Sequence, residues 1–480
     1  MTDTDAIIDN ARYLREVRPI DPEEIYEYVE GQPHPAVVRE TLREHAFELG
    51  IREREDGTFV PIEEGPIEVD FRGVERFPET YARRFEDLLV EEYGPGWPDG
   101  DTGDGLRERI DDLKQAYFAD SAVDYDRETA LAYGIYHLPD YYVVIQYVLA
   151  ELARDGLLDH DLRVLEVGAG TGGPALGLHD FLPEGVLVDY DAVEPSAAAD
   201  VLEHMLEETH PSFRPTIHRT TAEAFEPEAD AEYDLIVFAN VLSELEAPVA
   251  VAERYLDSLA DDGTLVAISP AEERTATRLR EIERDLVARR PDATVYAPTV
   301  RLWPDEEPDD RGWTFRREPD IEPPAFQSRL DRAAVDGGAD GDRRGLVASG
   351  DGTYLNTDVQ FAYLLLRTDG KRAIEYTPDP EQVAKMADME AHVTERIDLD
   401  ALKLSPNLAE EGNPLFKISD GSETVDHYAV LTRESALNES LARAPYGSLL
   451  RFENVLVLWN DDEEAYNLVV DAETVVDRLT

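Results

Sequence analysis

Residues 162–173 read Leu162-Arg163-Val164-Leu165-Glu166-Val167-Gly168-Ala169-Gly170-Thr171-Gly172-Gly173. The run at 164–167 fits a strand buried on both faces. The glycines behind it let the backbone turn tightly and approach a ligand, with the N–H groups of a helix expected at 174–181 aimed there. Gly168, Gly170 and Gly173 also satisfy the dinucleotide pattern G-x-G-x-x-G, so the glycines alone do not choose a ligand. Glu166 narrows the choice. It stands two residues before the first glycine, where a buried carboxylate is costly unless it accepts hydrogen bonds.

Outward from this string the pattern alternates. Strands are expected at 162–167, 188–194, 215–219, 233–239, 263–269 and 359–367, with helices at 174–181, 197–207, 248–259 and up to about 289. Alternation of this kind predicts an α/β fold, a doubly wound, mostly parallel, seven-stranded Rossmann-like sheet spanning 159–372. A Pro- and Asp-rich insertion with an Asp/Gly tract at 336–345 precedes the last strand. Glu194 closes the second strand and is followed by Pro195-Ser196. A carboxylate there can accept both hydroxyls of a ribose.

Three further regions flank this core. Residues 1–64 predict helices at 21–29 and 35–49, then a hairpin turning at Asp56-Gly57, in the order of a winged helix. Residues 1–60 carry a net charge of about −8, and Arg39 and Arg43 are matched by Glu40 and Glu44. Protein contact therefore suits this module better than nucleic-acid docking. Residues 65–158 read as helical around a loop at 94–105, with a long aromatic-rich helix at 132–157. Residues 373–480 predict a small α+β module with helices at 379–397 and 434–442 and strands at 414–418, 427–432, 448–460 and 466–471.

The chain has 480 residues, a formal net charge of −61 and no cysteine. Its length suggests about three domains at roughly 150 residues each. With 42% hydrophobic residues it can build packed cores, which excludes acidic disorder. The absence of cysteine excludes disulfides, thiolate metal sites and a cysteine nucleophile. Only Lys114, Lys371, Lys385, Lys403 and Lys417 are lysines. Acid along the whole chain with lysine removed suits a cytoplasm of molar salt, where charges are screened within about 3 Å. The amino-terminal residues lack a secretory pattern, and the apolar stretches fall short of the ~20 residues of a membrane span. A cytoplasmic protein is the expectation. The histidines are scattered with no metal spacing, and His204 and His210 read as solvated helix residues.

With Glu166 and Glu194 together, residues 162–270 resemble a class I S-adenosylmethionine-dependent methyltransferase. The resemblance includes 233–240 (Tyr-Asp-Leu-Ile-Val-Phe-Ala-Asn) as its fourth strand. It implies S-adenosyl-L-methionine as cofactor, held by Glu166 near the methionine end, by Gly168, Ala169, Gly170 and Gly172, and by Glu194 and Pro195 at the ribose. Ala222, Glu223 and Asn240 complete the implied set. Many members place an acid for the adenine amino group where Thr221 stands here, so Glu223 or a backbone contact must serve instead. Asn240, at the tip of the fourth strand, is the candidate nearest the methyl group; a turn-forming asparagine is the competing reading. Methyl transfer is an in-line displacement, for which positioning and desolvation can suffice.

A narrower likeness runs through Tyr133, Leu138-Pro139-Asp140-Tyr141-Tyr142, Asn240-Val241-Leu242-Ser243-Glu244-Leu245, Tyr296-Ala297-Pro298, Trp313-Thr314-Phe315 and Gln360-Phe361-Ala362-Tyr363-Leu364. In this order they are similar to the methyltransferase-like family of the mitochondrial small ribosomal subunit and its bacterial and archaeal relatives. That likeness implies ribosomal RNA or the small subunit as partner, with no membrane and no metal. Many relatives carry a cysteine cluster where Thr299 and Thr314 stand here, so that metal site is not expected. Competing functions are a small-molecule or protein methyltransferase and a non-catalytic assembly factor.

Overall fold

The computed structural model describes residues 4–54, 56–119, 123–228, 231–336 and 352–479. The chain divides into two compact units: residues 1–237 with 320–357, and residues 238–319 with 358–480. The Asp/Gly tract expected at 336–345 lies, from residue 337 on, outside the described residues.

The first unit opens with α1 (Thr4–Arg15), α2 (Pro22–Tyr28), α3 (Pro35–Glu44) and α4 (Ala46–Leu49). Asp21 caps α2 by accepting the Glu23 N–H at 2.9 Å. The helix expected at 35–49 is divided at His45, and α1 was not expected at all. The hairpin β1 (Ile51–Glu53) and β2 (Phe59–Pro61) pairs antiparallel around Asp56-Gly57. Arg39 and Arg43 turn to Glu53 of β1, at 3.4 and 2.6 Å, and Arg43 reaches Glu40 at 3.7 Å. Glu44 takes no part in those pairs. Ile7, Leu42, Leu49 and Phe59 form a core that also includes Leu187, so this module packs on the methyltransferase-like layer that follows.

Next come α5 (Glu79–Tyr93), α6 (Gly100–Ala119) and α7 (Arg127–Arg154). The loop expected at 94–105 gives way to helix from Gly100. Arg107, buried, donates to the carbonyls of Pro98 and Leu330 at 3.1 and 3.0 Å and pins that first turn. The parallel core is β3 (Asp161–Val167), α8 (Gly173–Phe181), β4 (Leu187–Val193), α9 (Ala198–Leu206), β5 (Phe213–His218) and β6 (Tyr233–Ala239). Its hydrogen-bonded order is β5-β4-β3-β6, with β3, β4 and β5 parallel. Here α7 lies tight against α8. A Cβ at Gly177 would fall 2.4 Å from the Tyr142 carbonyl oxygen, so only glycine admits this approach.

The second unit begins within β6 and continues through a 3₁₀ turn (Leu242–Glu244), α10 (Pro248–Leu256), β7 (Leu259–Pro270), α11 (Glu273–Arg289), β8 (Thr294–Ala297) and β9 (Arg316–Glu318). The first unit resumes in α12 (Ala325–Asp336), and β10 (Val359–Arg367) returns to the second. β10 runs antiparallel to β7, β8 and β9. The sheet is therefore mixed and gains the short β9; the expectation of a mostly parallel, seven-stranded sheet is corrected on both counts.

The C-terminal part holds a 3₁₀ turn (Met386–His392), then β11 (Arg396–Lys403), β12 (Leu415–Ser419), β13 (His427–Leu431), α13 (Glu439–Arg443), β14 (Leu449–Asn460), β15 (Ala465–Val470) and β16 (Val475–Arg478). The helix expected at 379–397 does not form. Residues 396–403 alternate, with Leu399 and Ala401 in the core, and join the sheet instead. The order β11-β12-β13-β15-β14 closes through β11–β14, and β13 and β15 are parallel. This five-stranded barrel has the strand order of an OB-fold, a topology that by itself assigns no function. No helix among the described residues is long and apolar enough to cross a membrane.

Candidate active site

Parallel pairing sets Glu166 opposite Ala192 and Val167 opposite Val193, so Glu166 and Glu194 come to neighbouring strand ends. In an open α/β sheet this carboxyl edge is where ligands bind. The chain then turns through Gly168, Gly170 and Gly172, with φ of +74°, +54° and +93°. Left-handed backbone at three positions in five residues explains the glycines without invoking a ligand. Their N–H groups remain informative: Gly168 and Ala169 donate back to the Val193 carbonyl at 2.8 and 3.2 Å.

Glu166 is buried at 1% exposure. Oε2 accepts the hydroxyl of Tyr190, and Oε1 has no hydrogen-bond partner. Burial raises its pKa to about 8; the Tyr190 hydrogen bond opposes this, and the nearby Glu194 charge adds to it. A half-satisfied buried carboxylate beside a glycine turn is an acceptor waiting for a donor.

Glu194 is buried too, and its oxygens face the protein as well as the edge. Oε2 accepts the Gly170 N–H at 2.9 Å; Oε1 accepts the Ser196 N–H at 2.9 Å and its hydroxyl at 2.6 Å. Pro195 is exposed, and Ala169 is buried. Ala222 is buried and Glu223 exposed in the turn after β5, where Thr221 Oγ1 accepts the Ala224 N–H at 3.3 Å. Asn240 belongs to the second unit, directly after β6, with φ +61° and its N–H donated to Ile268 at 2.9 Å. That φ suits asparagine for backbone reasons alone. The first unit thus gathers Glu166, Gly168, Ala169, Gly170, Gly172 and Glu194 at one edge.

His204 and His210 are half-buried rather than solvated. His204 Nε2 lies 3.2 Å from the Arg84 carbonyl, and His210 follows α9 and meets Ser212. No group of three or more metal-ligating side chains gathers among the described residues. Thr299 is buried and donates to the Tyr296 carbonyl at 2.9 Å; Thr314 is buried with Oγ1 unpartnered.

Sequence reasoning gave no role to the face of α7 above the glycine turn. Tyr133, His137 and Tyr141 recur every four residues and stack, His137 on Tyr133 at 4.8 Å and on Tyr141 at 5.1 Å. A Cβ at Gly170 would lie 3.7 Å from Tyr133, which places that ring over the turn. The i, i+4, i+8 spacing of three aromatic rings was the available signal.

Residues 137–319 match a methyltransferase domain family. Residues 4–55 and 387–479 match the N-terminal and C-terminal domains of a domain of unknown function, DUF8157. Curated proteins give no match. Among solved structures, the plantazolicin methyltransferase BpumL in complex with SAH is 10% identical, covering 60% of this chain and 99% of its own at a TM-score of 0.30. Magnesium protoporphyrin IX methyltransferase (ChlM) from Synechocystis PCC 6803 with bound SAM is 16% identical, covering 44% and 87% at 0.26. The mitomycin 7-O-methyltransferase MmcR is 14% identical, covering 59% and 81% at 0.25. Residues 137–319 are the methyltransferase domain of an enzyme, and the glycine turn with Glu166 and Glu194 fits S-adenosylmethionine as its methyl donor.

Proposed function

We propose that the protein transfers a methyl group from S-adenosylmethionine to ribosomal RNA, or acts so in assembly of the small ribosomal subunit. The observation that carries the donor is the unpartnered Oε1 of Glu166 beside the glycine turn. An ammonium group such as that of the methionine moiety supplies the missing donor. Glu194, at the adjoining strand end, keeps lone pairs for ribose hydroxyls. The bound donor supplies an electrophilic methyl group; the chain's own residues bind and orient it and exclude water.

Support for a macromolecular acceptor comes from the ordered motifs that resemble the small-subunit family and from the two flanking modules. The large apolar side chains left exposed among the described residues all lie in those modules: Tyr13, Val17, Tyr28 and Val37 in one, Leu437, Leu458, Trp459 and Leu479 in the other. Exposed apolar side chains favour protein or RNA contact over a small substrate. The barrel face of β12 and β13, which OB-folds use for oligonucleotides, is covered here by residues 309–311. Asp310 and Arg311 reach Lys417 and Asp426 across it. An RNA contact therefore falls elsewhere on the protein.

Mass spectrometry of ribosomal RNA nucleosides from wild-type and deletion cells tests the reading. Loss of one methylated nucleoside in the deletion is the expected result. Identical modification profiles would move the acceptor to a protein or a small molecule.

A further inference from the structure

Beside the cofactor residues, α7 carries a second group of polar and aromatic side chains that the donor does not use. His137 sits between Tyr133 and Tyr141, whose ring lies nearly parallel to its own at 20°. Tyr136 closes one edge at 5.0 Å. Tyr125 extends the wall, 5.4 Å from Tyr133 and edge-on, and its carbonyl accepts the Ala197 N–H just beyond Glu194. The wall thus runs from the turn after Glu194 to the space above Gly170. Every one of these rings is half-buried.

Behind His137 stands Asp140, one turn further along α7. Its Oδ2 lies 3.6 Å from His137 Nδ1, while Oδ1 and Nδ1 are both buried without a hydrogen-bond partner. Asn356 bonds to Asp140 and donates to the Tyr136 carbonyl at 3.1 Å, fixing the carboxylate in place. Burial raises the Asp140 pKa, and the partial opposition comes first from His137. An imidazole backed by a buried carboxylate and open on its other side is the arrangement by which enzymes accept a proton.

Resting on the donor reading above, we propose that the Tyr133–His137–Tyr141 face of α7 is the acceptor subsite, taking a planar nucleobase, with His137 as the proton acceptor and Asp140 as its positioning residue. Aromatic walls hold bases by stacking, which every base offers through its π-face. In the transfer, a ring or exocyclic nitrogen of the acceptor forms its bond to the methyl carbon as the carbon–sulfur bond breaks. The pair of that bond returns to sulfur, leaving a neutral thioether. The acceptor's proton passes to His137 Nε2, and the imidazolium formed faces the Asp140 carboxylate.

Full-length protein labelled with ¹⁵N-histidine, in 3 M KCl, tests this without a known acceptor. S-adenosylhomocysteine and sinefungin, whose amine stands where the methyl group would be, are titrated by calorimetry and followed by histidine NMR. The His137 signals are assigned by their loss in His137→Gln, with circular dichroism confirming that the variant folds. Expected results are binding of both analogues, an Nδ1–H tautomer for His137 that is lost in Asp140→Asn, and a shift of its signals with sinefungin. Millimolar addition of the four ribonucleosides to the S-adenosylhomocysteine complex should shift them again for at least one nucleoside. Binding of the analogues with unmoved His137 signals, or an Nε2–H tautomer, overturns the proton-acceptor role. Silence towards all four nucleosides overturns the nucleobase. If neither analogue binds, the donor reading itself fails, and this proposal falls with it.

Discussion

Glu194 Oε2 accepts the backbone N–H of Gly170 at 2.9 Å, so the end of β4 holds the glycine turn that follows β3. One carboxylate therefore serves two purposes: it shapes the loop, and it offers its remaining lone pairs at the ligand edge. Ser196 completes the clamp with two more hydrogen bonds to Oε1.

Glu194→Ala accordingly loses more than a ribose contact. Hydrogen bonds to a charged group contribute about 1.5–3 kcal/mol each, so S-adenosylmethionine affinity should fall by roughly tenfold to a hundredfold. The melting temperature should fall as well, because Gly170 and Ser196 lose their acceptor. Glu194→Gln keeps one carbonyl oxygen and should sit between wild type and alanine on both measures. Calorimetric titration alongside a thermal melt reads both. An unchanged dissociation constant for Glu194→Ala would refute the assignment.

Glu166 makes the apo protein sensitive to pH. Its folded-state pKa is raised to about 8 against a model value of 4.5. The native state therefore binds the proton more tightly than the unfolded chain. Stability from this group is full below pH 4.5 and is lost as pH rises to about 8, a cost of a few kcal/mol in order of magnitude. Glu166→Gln should be more stable than wild type at pH 8.5 and about equal at pH 4.5. Urea titrations at the two values check this, and a variant no more stable at pH 8.5 would contradict it. Near pH 7 much of Glu166 is protonated in the apo protein. Binding of S-adenosylmethionine should then release protons, seen as a dependence of the calorimetric enthalpy on the buffer's ionisation enthalpy.

Glu166, the glycines and Glu194 were all legible because each is an exception to its local pattern, a carboxylate or a glycine inside strand-like sequence. What each oxygen does was not legible, since Tyr190 and Ser196 act through register and turn geometry. Strands at 233–239 and 359–367 match β6 and β10 residue for residue, because continuous apolar runs mark buried strands. The helix at 379–397 failed where helix-forming residues concealed the alternation of 396–403. Gly100 to Gly105 failed differently: tertiary contacts of Arg107 override the weak propensity of glycine. His137 and Asp140 carry no motif of their own, and only packing brings them to the glycine turn.

Lys417 should be indispensable to the second unit. It is buried at 1% exposure and meets Asp426 at 2.7 Å and Asp310, which also pairs with Arg284 at 2.7 Å. Removing one partner of a buried ion pair typically costs about 3–5 kcal/mol, because it strands the other charge. Lys417→Met strands two carboxylates and should exceed Asp310→Asn in cost. Guanidinium melts of the two variants order them. A Lys417→Met protein as stable as wild type would show that the carboxylates find other partners.

The net charge of −61 leads to the last prediction. Most basic side chains already serve a carboxylate: Arg290 binds Asp257 and Asp292, Arg219 binds Asp200 and Glu203, and Arg451 binds Asp400. The excess acids have no such partner to turn to, and their mutual repulsion must be screened by solvent ions. At 0.1 M salt the Debye length is about 10 Å, longer than the spacing of neighbouring surface charges; at molar salt it falls to about 3 Å. The folded state gathers these charges more closely than the unfolded chain does, so it carries the greater penalty at low salt. Circular-dichroism melts should therefore show a higher melting temperature in 3 M than in 0.1 M KCl, with unfolding near room temperature at the lower value. Potassium chloride separates screening from the stronger exclusion effects of sulfate. Equal melting temperatures at the two concentrations would mean that repulsion among the acids does not limit this fold.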